Sequence, residues 1–189
     1  MDISTTFNCM ELYNKVINED IEIVINNAGF GVYGNFDETS LDKEVDMIDL
    51  NIKTVHTLTK LFLKDFKEKD RGYILNVSSL AAFLPGPLMA SYYASKAYVL
   101  RLTEAIYEEL RQEKSNVYVG VLCPGPVKTN FNKVMGVKKA RGLPSYVVAE
   151  YAIKKMFKRK LVIIPGKLIK VVNCINKIIP SKILLNIVY

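Results

Sequence analysis

A tyrosine and a lysine four residues apart, Tyr92 and Lys96, are the pair in this sequence best suited to acid–base chemistry. They lie near the predicted start of a helix, where this spacing places both side chains on one face. A nearby ammonium favours the phenolate and so lowers the pKa of a phenol from about 10. Such a phenol can exchange a proton with a carbonyl or alcohol oxygen. In isolation the pair is more typical of an ordinary helix surface, because this spacing is common.

Alternating helix and strand patterns surround this pair and predict an α/β fold with a parallel sheet. Short runs of apolar, mostly β-branched residues predict strands at 21–25, 74–77, 117–122 and 161–164. Periodic apolar residues and capping signals predict helices at 6–17 with Ser4 as N-cap, at 39–66 with Thr39 and Asp42 in capping-box spacing, at 91–112, and at 145–158 with Ser145 as N-cap. Residues 128–142 are predicted to be irregular and mobile.

The composition of the chain narrows the classes of function. Its 189 residues, half of them apolar, suffice for one domain with a buried core. One histidine, His56, and three separated cysteines favour neither a metal site, nor a disulfide framework, nor a Ser-His-Asp triad. The net charge of +7 is spread over many lysines, which indicates a solvated surface rather than a nucleic-acid interface. We identify neither a signal peptide nor a spanning run, so we expect a cytoplasmic protein.

Five segments together resemble the motifs of the short-chain dehydrogenase/reductase family. Tyr92-Tyr93-Ala94-Ser95-Lys96 is similar to the family's Tyr-x-x-x-Lys signature, and its spacing assigns Tyr92 rather than Tyr93. The other segments follow the family's order and spacing, and they are Asn26-Asn27-Ala28-Gly29, Asp49-Leu50-Asn51, Asn76-Val77-Ser78-Ser79 and Pro124-Gly125-Pro126-Val127-Lys128-Thr129. Five motifs in order are a far more specific signal than any one of them.

The resemblance implies a role for each matching residue. Tyr92 would be the general acid/base, Lys96 would lower its pKa and bind the nicotinamide ribose, and Ser79 would hold the substrate oxygen. Asn51 would bind a water that relays protons from Lys96, or it is only a polar residue at a helix kink. The residues expected to bind the cofactor are Asp2, Asn27, Ala28, Gly29, Asn51, Tyr92, Lys96, Pro124, Gly125, Val127 and Thr129. For residues 27–29 an ordinary turn, and for Thr129 a local cap, are the competing interpretations.

The substrate side is expected to follow Ser79. Phe83, Leu84, Pro87 and Leu88 are candidates to line it, although core packing competes as an explanation for Leu84 and Leu88. Residues 131–143 resemble the family's mobile substrate lid. Both segments are apolar or mixed, so a hydrophobic carbonyl or alcohol is the expected substrate.

The family's phosphate-binding Gly-x-x-x-Gly-x-Gly loop has no counterpart in this sequence. Gly29, Gly31 and Gly34 have a shorter Gly-x-Gly-x-x-Gly spacing, which we interpret as a decoy because no helix is predicted to open on it. Asp2-Ile3 resembles the pair that ends the family's third strand. We therefore expect a single partial domain over 1–189, a Rossmann-like doubly wound parallel sheet truncated at its amino terminus. Strand 21–25 should then be an unpaired edge, and the chain alone should bind dinucleotide weakly or not at all.

The resemblance implies an oxidoreductase that passes a hydride between NADP or NAD and a carbonyl or alcohol, with NADP favoured by family habit. The alternative is an inactive remnant or protein-binding module that cannot hold cofactor. A homo-oligomer is expected from the family. The basic, apolar tail at 167–189 has three interpretations: peripheral contact with a membrane, an oligomer interface, or packing on its own domain.

Overall fold

The computed structural model describes residues 1–129, 131, 142–166 and 185. Five α-helices occur in the described part of the chain: α1 (Thr6–Val16), α2 (Leu41–Ile48), α3 (Val55–Glu68), α4 (Ala90–Gln112) and α5 (Ser145–Met156). A π-helical segment, Asp49–Thr54, joins α2 to α3, and a 3₁₀ turn covers Leu80–Phe83. The strands are β1 (Ile23–Asn26), β2 (Tyr73–Val77), β3 (Tyr118–Leu122), β4 (Val127–Lys128), β5 (Leu143–Pro144) and β6 (Val162–Ile163).

The main sheet has the order β1-β2-β3-β6, and every pairing in it is parallel. This confirms the four predicted strands and the parallel α/β fold, with shifts of one or two residues at their ends. Asn26 is beside Asn76 and Val77 is beside Leu122, so the carboxyl ends of β1, β2 and β3 meet at one edge. Three of the five sequence motifs contain or follow these ends, and the fold therefore brings them together. Strands β4 and β5 form a separate parallel pair.

Helices cover both faces of the sheet around the fully buried strand β3. One face packs on α1, α3 and α4 through buried residues that include Phe62, Phe66, Ile74 and Val119. The other face packs on α5, where Leu75 and Tyr118 meet Met156. Each such side chain contributes roughly 1.5–3 kcal/mol when it leaves water, so the strands next to β3 are firmly placed.

A buried polar network lies within this apolar interior. The Asn26 amide donates to the side-chain oxygens of Asn76, at 2.8 Å, and Thr59, at 3.1 Å. Asn76 also accepts from Thr59 at 3.1 Å and donates to Thr103 at 3.0 Å. Four side chains from β1, β2, α3 and α4 are thus bonded to each other. Buried polar groups are costly without partners, so this network specifies one arrangement of those elements.

The predicted helix over 39–66 is interrupted, and this is the main local difference from the sequence expectation. The π-helical turn at Asp49–Thr54 inserts between α2 and α3 and carries the buried Asn51. Such turns are rare and occur often at functional sites. No periodic pattern of apolar residues reports one, because the apolar stripe resumes on the same face.

Three predicted caps are wrong. Thr5, not Ser4, caps α1 by accepting the Asn8 N–H, while the Ser4 hydroxyl donates to Asp2. Ser40, not Thr39, caps α2 by accepting the Lys43 N–H. Ser145 is the first residue of α5 rather than its cap, and Pro144 precedes it with no side-chain cap bond. In the first two cases two neighbouring hydroxyl residues compete for one position, and the backbone conformation decides between them.

Strand β1 is an edge of the described sheet, as the sequence analysis predicted. Ile23 is 39% exposed and Ile25 is 45% exposed. The strand has no charged side chain that would keep another strand from pairing with it. An apolar groove of about 290 Å³ runs along it, lined by residues that include Ile21, Leu58 and Phe62. An uncharged and apolar edge is a site where another strand can add.

Two sequence expectations fall largely outside the described residues. The lid prediction concerns 131–143, of which the structure describes only Phe131, Gly142 and Leu143. The tail at 167–189 is described only at Leu185, which is exposed. Among the described residues, no helix has the length and apolar character that crossing a bilayer requires.

Candidate active site

A cleft of about 840 Å³ opens at the carboxyl ends of β2 and β3, beside the first turns of α4. In parallel α/β sheets this is the edge at which ligands bind. The cleft is lined by most of the residues predicted for the site: Asn27, Gly29, Ser79, Tyr92, Lys96, Pro124, Gly125, Val127 and Thr129. Residues scattered over a hundred positions of sequence therefore share one surface.

Tyr92 and Ser79 line the same cleft. Ser79 follows β2, and its Oγ accepts the Ala81 N–H at 3.1 Å, which fixes the turn that presents it. Tyr92 is buried in the first turn of α4, and the Ser79 side chain favours the phenolate form of Tyr92. Two hydroxyls on one cleft can contact the same substrate oxygen.

The pKa of Tyr92 moves in the direction opposite to the sequence expectation. Burial is the largest influence and raises the pKa of Tyr92 above its ordinary value, while the Ser79 side chain only partly opposes this. The Lys96 ammonium lies 5.9 Å from the centre of the Tyr92 ring. Burial therefore decides the net shift in this structure, and the effect expected of Lys96 on the phenol pKa stays a prediction.

Lys96 is buried one turn after Tyr92, and its Nζ donates to the Val77 carbonyl at 3.1 Å. Burial lowers the pKa of Lys96 to about 8. The Ser78 hydroxyl donates to the Lys96 carbonyl at 2.6 Å, which adds a second bond between the turn after β2 and the first turns of α4. The Ser78 hydroxyl thus binds backbone, and the choice of Ser79 as the catalytic serine stays a prediction.

Asn51 supports the cleft from behind. Its Nδ2 donates to the Phe30 carbonyl at 2.9 Å and to Ser95 Oγ at 3.1 Å, and its Oδ1 accepts the Phe30 N–H at 3.1 Å. A Cβ added to Gly29 would come within 2.7 Å of Asn51 Oδ1 and 3.3 Å of Lys96 Nζ. Glycine is therefore required at 29 for close approach. The place of Asn51 in the π-helical turn agrees with its interpretation as a polar residue at a helix kink, and its role in a proton relay stays a prediction.

The segment after β3 closes the opposite wall. Leu80 N donates to the Pro124 carbonyl at 2.8 Å, which joins this wall to the Ser79 turn. Thr129 lines the cleft, and its Oγ1 accepts the Phe131 N–H at 3.2 Å, which agrees with its interpretation as a local cap, while its contact with the cofactor stays a prediction. Leu143 N donates to the Pro126 carbonyl at 3.1 Å and so bonds β5 to this wall.

Three predicted cofactor residues are outside the described lining of the cleft: Asp2, Ala28 and the fully buried Asn51. Asp2 is exposed, and its carboxylate accepts the Ser4 N–H and hydroxyl, bonds that lower the pKa of Asp2. Ala28 lines the groove along β1 instead of the cleft. The turn at 27–29 therefore divides, with Asn27 reaching both cavities and Gly29 only the cleft.

The substrate side differs in part from the sequence expectation. Leu84 lines the cleft, whereas Phe83 packs on the core beside Val99 and Val121, and Pro87 and Leu88 are absent from the described lining. The sequence analysis missed Phe30, Met89, Tyr93, Val148 and Ala149, which do line it. Tyr93 adjoins Tyr92 and could have been noticed, but Val148 and Ala149 on α5 have an ordinary core pattern.

The cleft fits the nicotinamide end of a dinucleotide better than the pyrophosphate. Gly29 lets the Asn51 and Lys96 side chains approach its backbone at the cleft, and Lys96 Nζ has three donors, of which Val77 takes one. The Gly29, Gly31 and Gly34 spacing leads into no helix, since α2 begins only at Leu41, which confirms the decoy interpretation. No three His, Cys, Asp or Glu residues of the described chain are grouped as a metal site.

Comparison with known proteins agrees with this architecture. Residues 1–140 match the family described as short chain dehydrogenase. Dehydrogenase/reductase SDR family member 4 of Bos taurus is 34% identical over 142 residues, which are 73% of this chain and 48% of that protein. The very-long-chain 3-oxoacyl-CoA reductase of Anas platyrhynchos is 34% identical over 119 residues, 61% of this chain and 38% of that protein. The chain thus spans about half the length, or less, of these curated relatives.

Solved structures show the same fold. A short-chain dehydrogenase from Sphingobium yanoikuyae, in complex with NADPH, superposes with a TM-score of 0.80 and 25% identity, over 88% of this chain and 66% of that one. The bulky-bulky ketone specific alcohol dehydrogenase from Comamonas testosteroni gives a TM-score of 0.77 and 26% identity, over 94% and 68%. The family match over most of the chain, with a Rossmann-like sheet and the Tyr92–Lys96 cleft, shows that this chain belongs to the short-chain dehydrogenase family.

Proposed function

We propose that the chain carries the reaction centre of an NAD(P)-dependent oxidoreductase that interconverts a carbonyl and an alcohol. The observation that carries the proposal is that Ser79, Tyr92 and the buried Lys96 line one cleft at the carboxyl end of β2, with the Lys96 ammonium 5.9 Å from the centre of the Tyr92 ring. Relatives described with NADPH and with 3-oxoacyl-CoA or ketone substrates support the same class of reaction. Because the chain spans only part of these proteins, NADP, NAD and the substrate are all part of the proposal.

The site residues would act on the substrate oxygen. When bound, the nicotinamide supplies or accepts the hydride at the substrate carbon. Ser79 and Tyr92 would hold the oxygen, and Tyr92 would give it a proton during reduction. Because burial raises the pKa of Tyr92, its phenol is a weaker acid, and proton transfer from it would need a group that stabilises the phenolate. The Lys96 ammonium would stabilise the phenolate left behind, and proton transfer of this kind contributes about 10²–10⁴-fold in rate.

The remaining predicted residues would position the nicotinamide end. Asn27, Gly29, Lys96 and the wall from Pro124 to Thr129 border the cleft on the side of the strand ends. The first cofactor to test is NADP(H), with NAD(H) as the alternative, because family analogy favours it. Asn51 would keep Phe30, next to Gly29, in place through two hydrogen bonds and would connect it to α4 through a third, to Ser95.

The test is turnover of an aldehyde and ketone panel at high NADPH concentration, measured by the absorbance of the reduced nicotinamide. Tyr92→Phe should lower kcat by at least about 10²-fold. Tyr98→Phe is the matched control, because Tyr98 lies on the same helix and bonds His56 on the exposed side. Equal turnover by wild type and Tyr92→Phe would refute the assigned role.

A second candidate function is a chain that keeps the site but does not hold cofactor. It is favoured by the exposed edge β1 and by the lack of a glycine-rich turn that opens a helix in the described residues. Such a chain would act only as a binding partner. Retained turnover at high NADPH concentration would exclude it.

A further inference from the structure

We propose that Gly86 and Tyr93 set the width of the substrate side, and that the substrate is a ketone or secondary alcohol whose reacting carbon bears a bulky apolar ring. This inference rests on the proposed function, since it concerns what occupies the same site. It goes beyond that function by naming the residues that select the substrate and the shape they select.

The Tyr93 ring packs directly on the backbone of Gly86, and we call this contact the seat of Tyr93. A Cβ built on Gly86 would lie 2.2 Å from both Cγ and Cδ2 of Tyr93 and 2.5 Å from its Cδ1. The backbone of Gly86 is outside the left-handed region, so available space, not chain conformation, requires the glycine. Cγ is the first ring atom and is attached directly to Cβ of Tyr93. Any side chain at 86 must therefore rotate the whole ring of Tyr93 away from its present place.

The seated Tyr93 ring is part of the wall around the reactive phenol. It packs edge-on against Tyr92, with ring centres 6.1 Å apart and planes at 76°. Phe131 also contacts Tyr92, with ring centres 5.5 Å apart. Phe30 and Met89 belong to the same apolar cluster. A group attached to the reacting carbon would therefore meet aromatic rings and a methionine rather than water or charge.

The chemistry of this wall indicates the substrate class. Tyr92 and Ser79 offer hydroxyls to the substrate oxygen, and Lys96 is the only charged residue in the described lining. Leu84, Met89, Tyr93 and Phe131 present apolar or aromatic surface, which favours a ring because aromatic groups pair edge-to-face and stacked. The cleft of about 840 Å³ has to hold the nicotinamide end and the substrate together, and its volume lies within the range of about 300–1,000 Å³ that is typical of small-molecule sites.

The test uses Gly86→Ala with 2-tetralone, an uncharged bicyclic ketone, and acetone as the small ketone. Displacing the ring should lower the ratio of kcat/KM for 2-tetralone to that for acetone by roughly tenfold or more. The double variant Gly86→Ala/Tyr93→Ala removes the clash and should restore the ratio. Tyr98→Ala is the control for losing a tyrosine from α4, and it should leave the ratio unchanged.

A second measurement does not depend on turnover. Saturation-transfer NMR of 2-tetralone on the full chain without dinucleotide should show binding by wild type, loss in Gly86→Ala and return in the double variant. That pattern supports the inference even where no turnover occurs, in which case the proposed function alone fails. Equal binding by all variants, no return in the double variant, or no binding of 2-tetralone by wild type overturns the inference.

Discussion

The cleft and the β1 edge stand at opposite extremes of the same sheet. At the cleft, the end of β2 is joined to α4 by Ser78, Lys96 and the buried amide of Asn76, each with identified partners. At the edge, Ile23 and Ile25 lie largely open beside an apolar groove. Side chains at a site can therefore be held by a complete set of hydrogen bonds even though one edge strand of the same sheet is exposed. A site can be arranged in detail on a sheet whose border is poorly protected.

Removal of the buried amine of Lys96 should have the largest effect on activity. Lys96→Met should lower kcat by about 10²-fold or more at the proposed site, because no ammonium remains to stabilise the phenolate. The same change should keep or raise the free energy of unfolding by about 1–3 kcal/mol, since a buried and poorly hydrated charge disappears. Turnover and urea denaturation of one preparation measure both. Loss of stability together with activity would contradict this expectation.

The pKa of Lys96 also predicts how the free energies of unfolding of wild type and Lys96→Met depend on pH. The folded pKa of Lys96 is about 8, below its ordinary value of 10.5, so the unfolded chain binds more protons between these two values. The cost of burying Lys96 is therefore fully present below pH 8 and fades as the pH rises toward 10.5. The stability difference between Lys96→Met and wild type should narrow over this window. Urea melts at closely spaced pH values would test it, and a constant difference would be inconsistent with a buried lysine.

The polar network should respond more strongly than the edge. Asn76→Leu leaves Asn26, Thr59 and Thr103 without their common partner, and it should cost about 3 kcal/mol in free energy of unfolding. Thr103→Val removes one hydroxyl at the end of the network and should cost only about 1 kcal/mol. Chemical denaturation gives both values. Equal costs would show that Asn76 is not the centre of the network.

The affinity of the purified chain for dinucleotide tests how complete the cleft is. The nicotinamide end fits, whereas the described residues provide no glycine-rich turn that opens a helix for the pyrophosphate. Purified chain should therefore bind NADP(H) and NAD(H) more weakly than about 1 μM. Fluorescence titration of the reduced nucleotides measures this, and tight saturable binding would defeat the expectation.

The smallest expected effect is at the edge. Ile25→Lys places a charge on the exposed edge strand β1, whose outer side is unpaired in the described sheet. The free energy of unfolding should therefore change by no more than about 0.5 kcal/mol. Self-association should decrease, because a charged edge is a poor template for another strand. Size-exclusion chromatography with light scattering at increasing concentration measures it. Unchanged association would show that β1 is not the adhesive surface.

Patterns that repeat locally were predictable, and relations across space were not. The β-branched runs identified β1, β2, β3 and β6, because strands buried in a parallel sheet need continuous apolar residues. The spacing of Tyr92 and Lys96 and their offset from Ser79 likewise anticipated the cleft. By contrast, the raised pKa of Tyr92 depends on burial, which spacing does not report. The seat of Tyr93 on Gly86 and the contribution of Val148 from α5 depend on packing between distant segments.

Asn76 has a consequence for the alignment of the strands. Its side chain satisfies Asn26 and Thr103 together only when β1 and β2 are aligned with Asn26 beside Asn76. Each residue advances a strand by about 3.3 Å, so a slip of two positions would carry Ser79 roughly 7 Å from Tyr92 and leave buried amides unpaired. The Asn76 amide contacts no residue of the described cleft lining, yet it disfavours misaligned sheets. It thereby fixes the position of the Ser79 hydroxyl, three residues later, beside the reaction site.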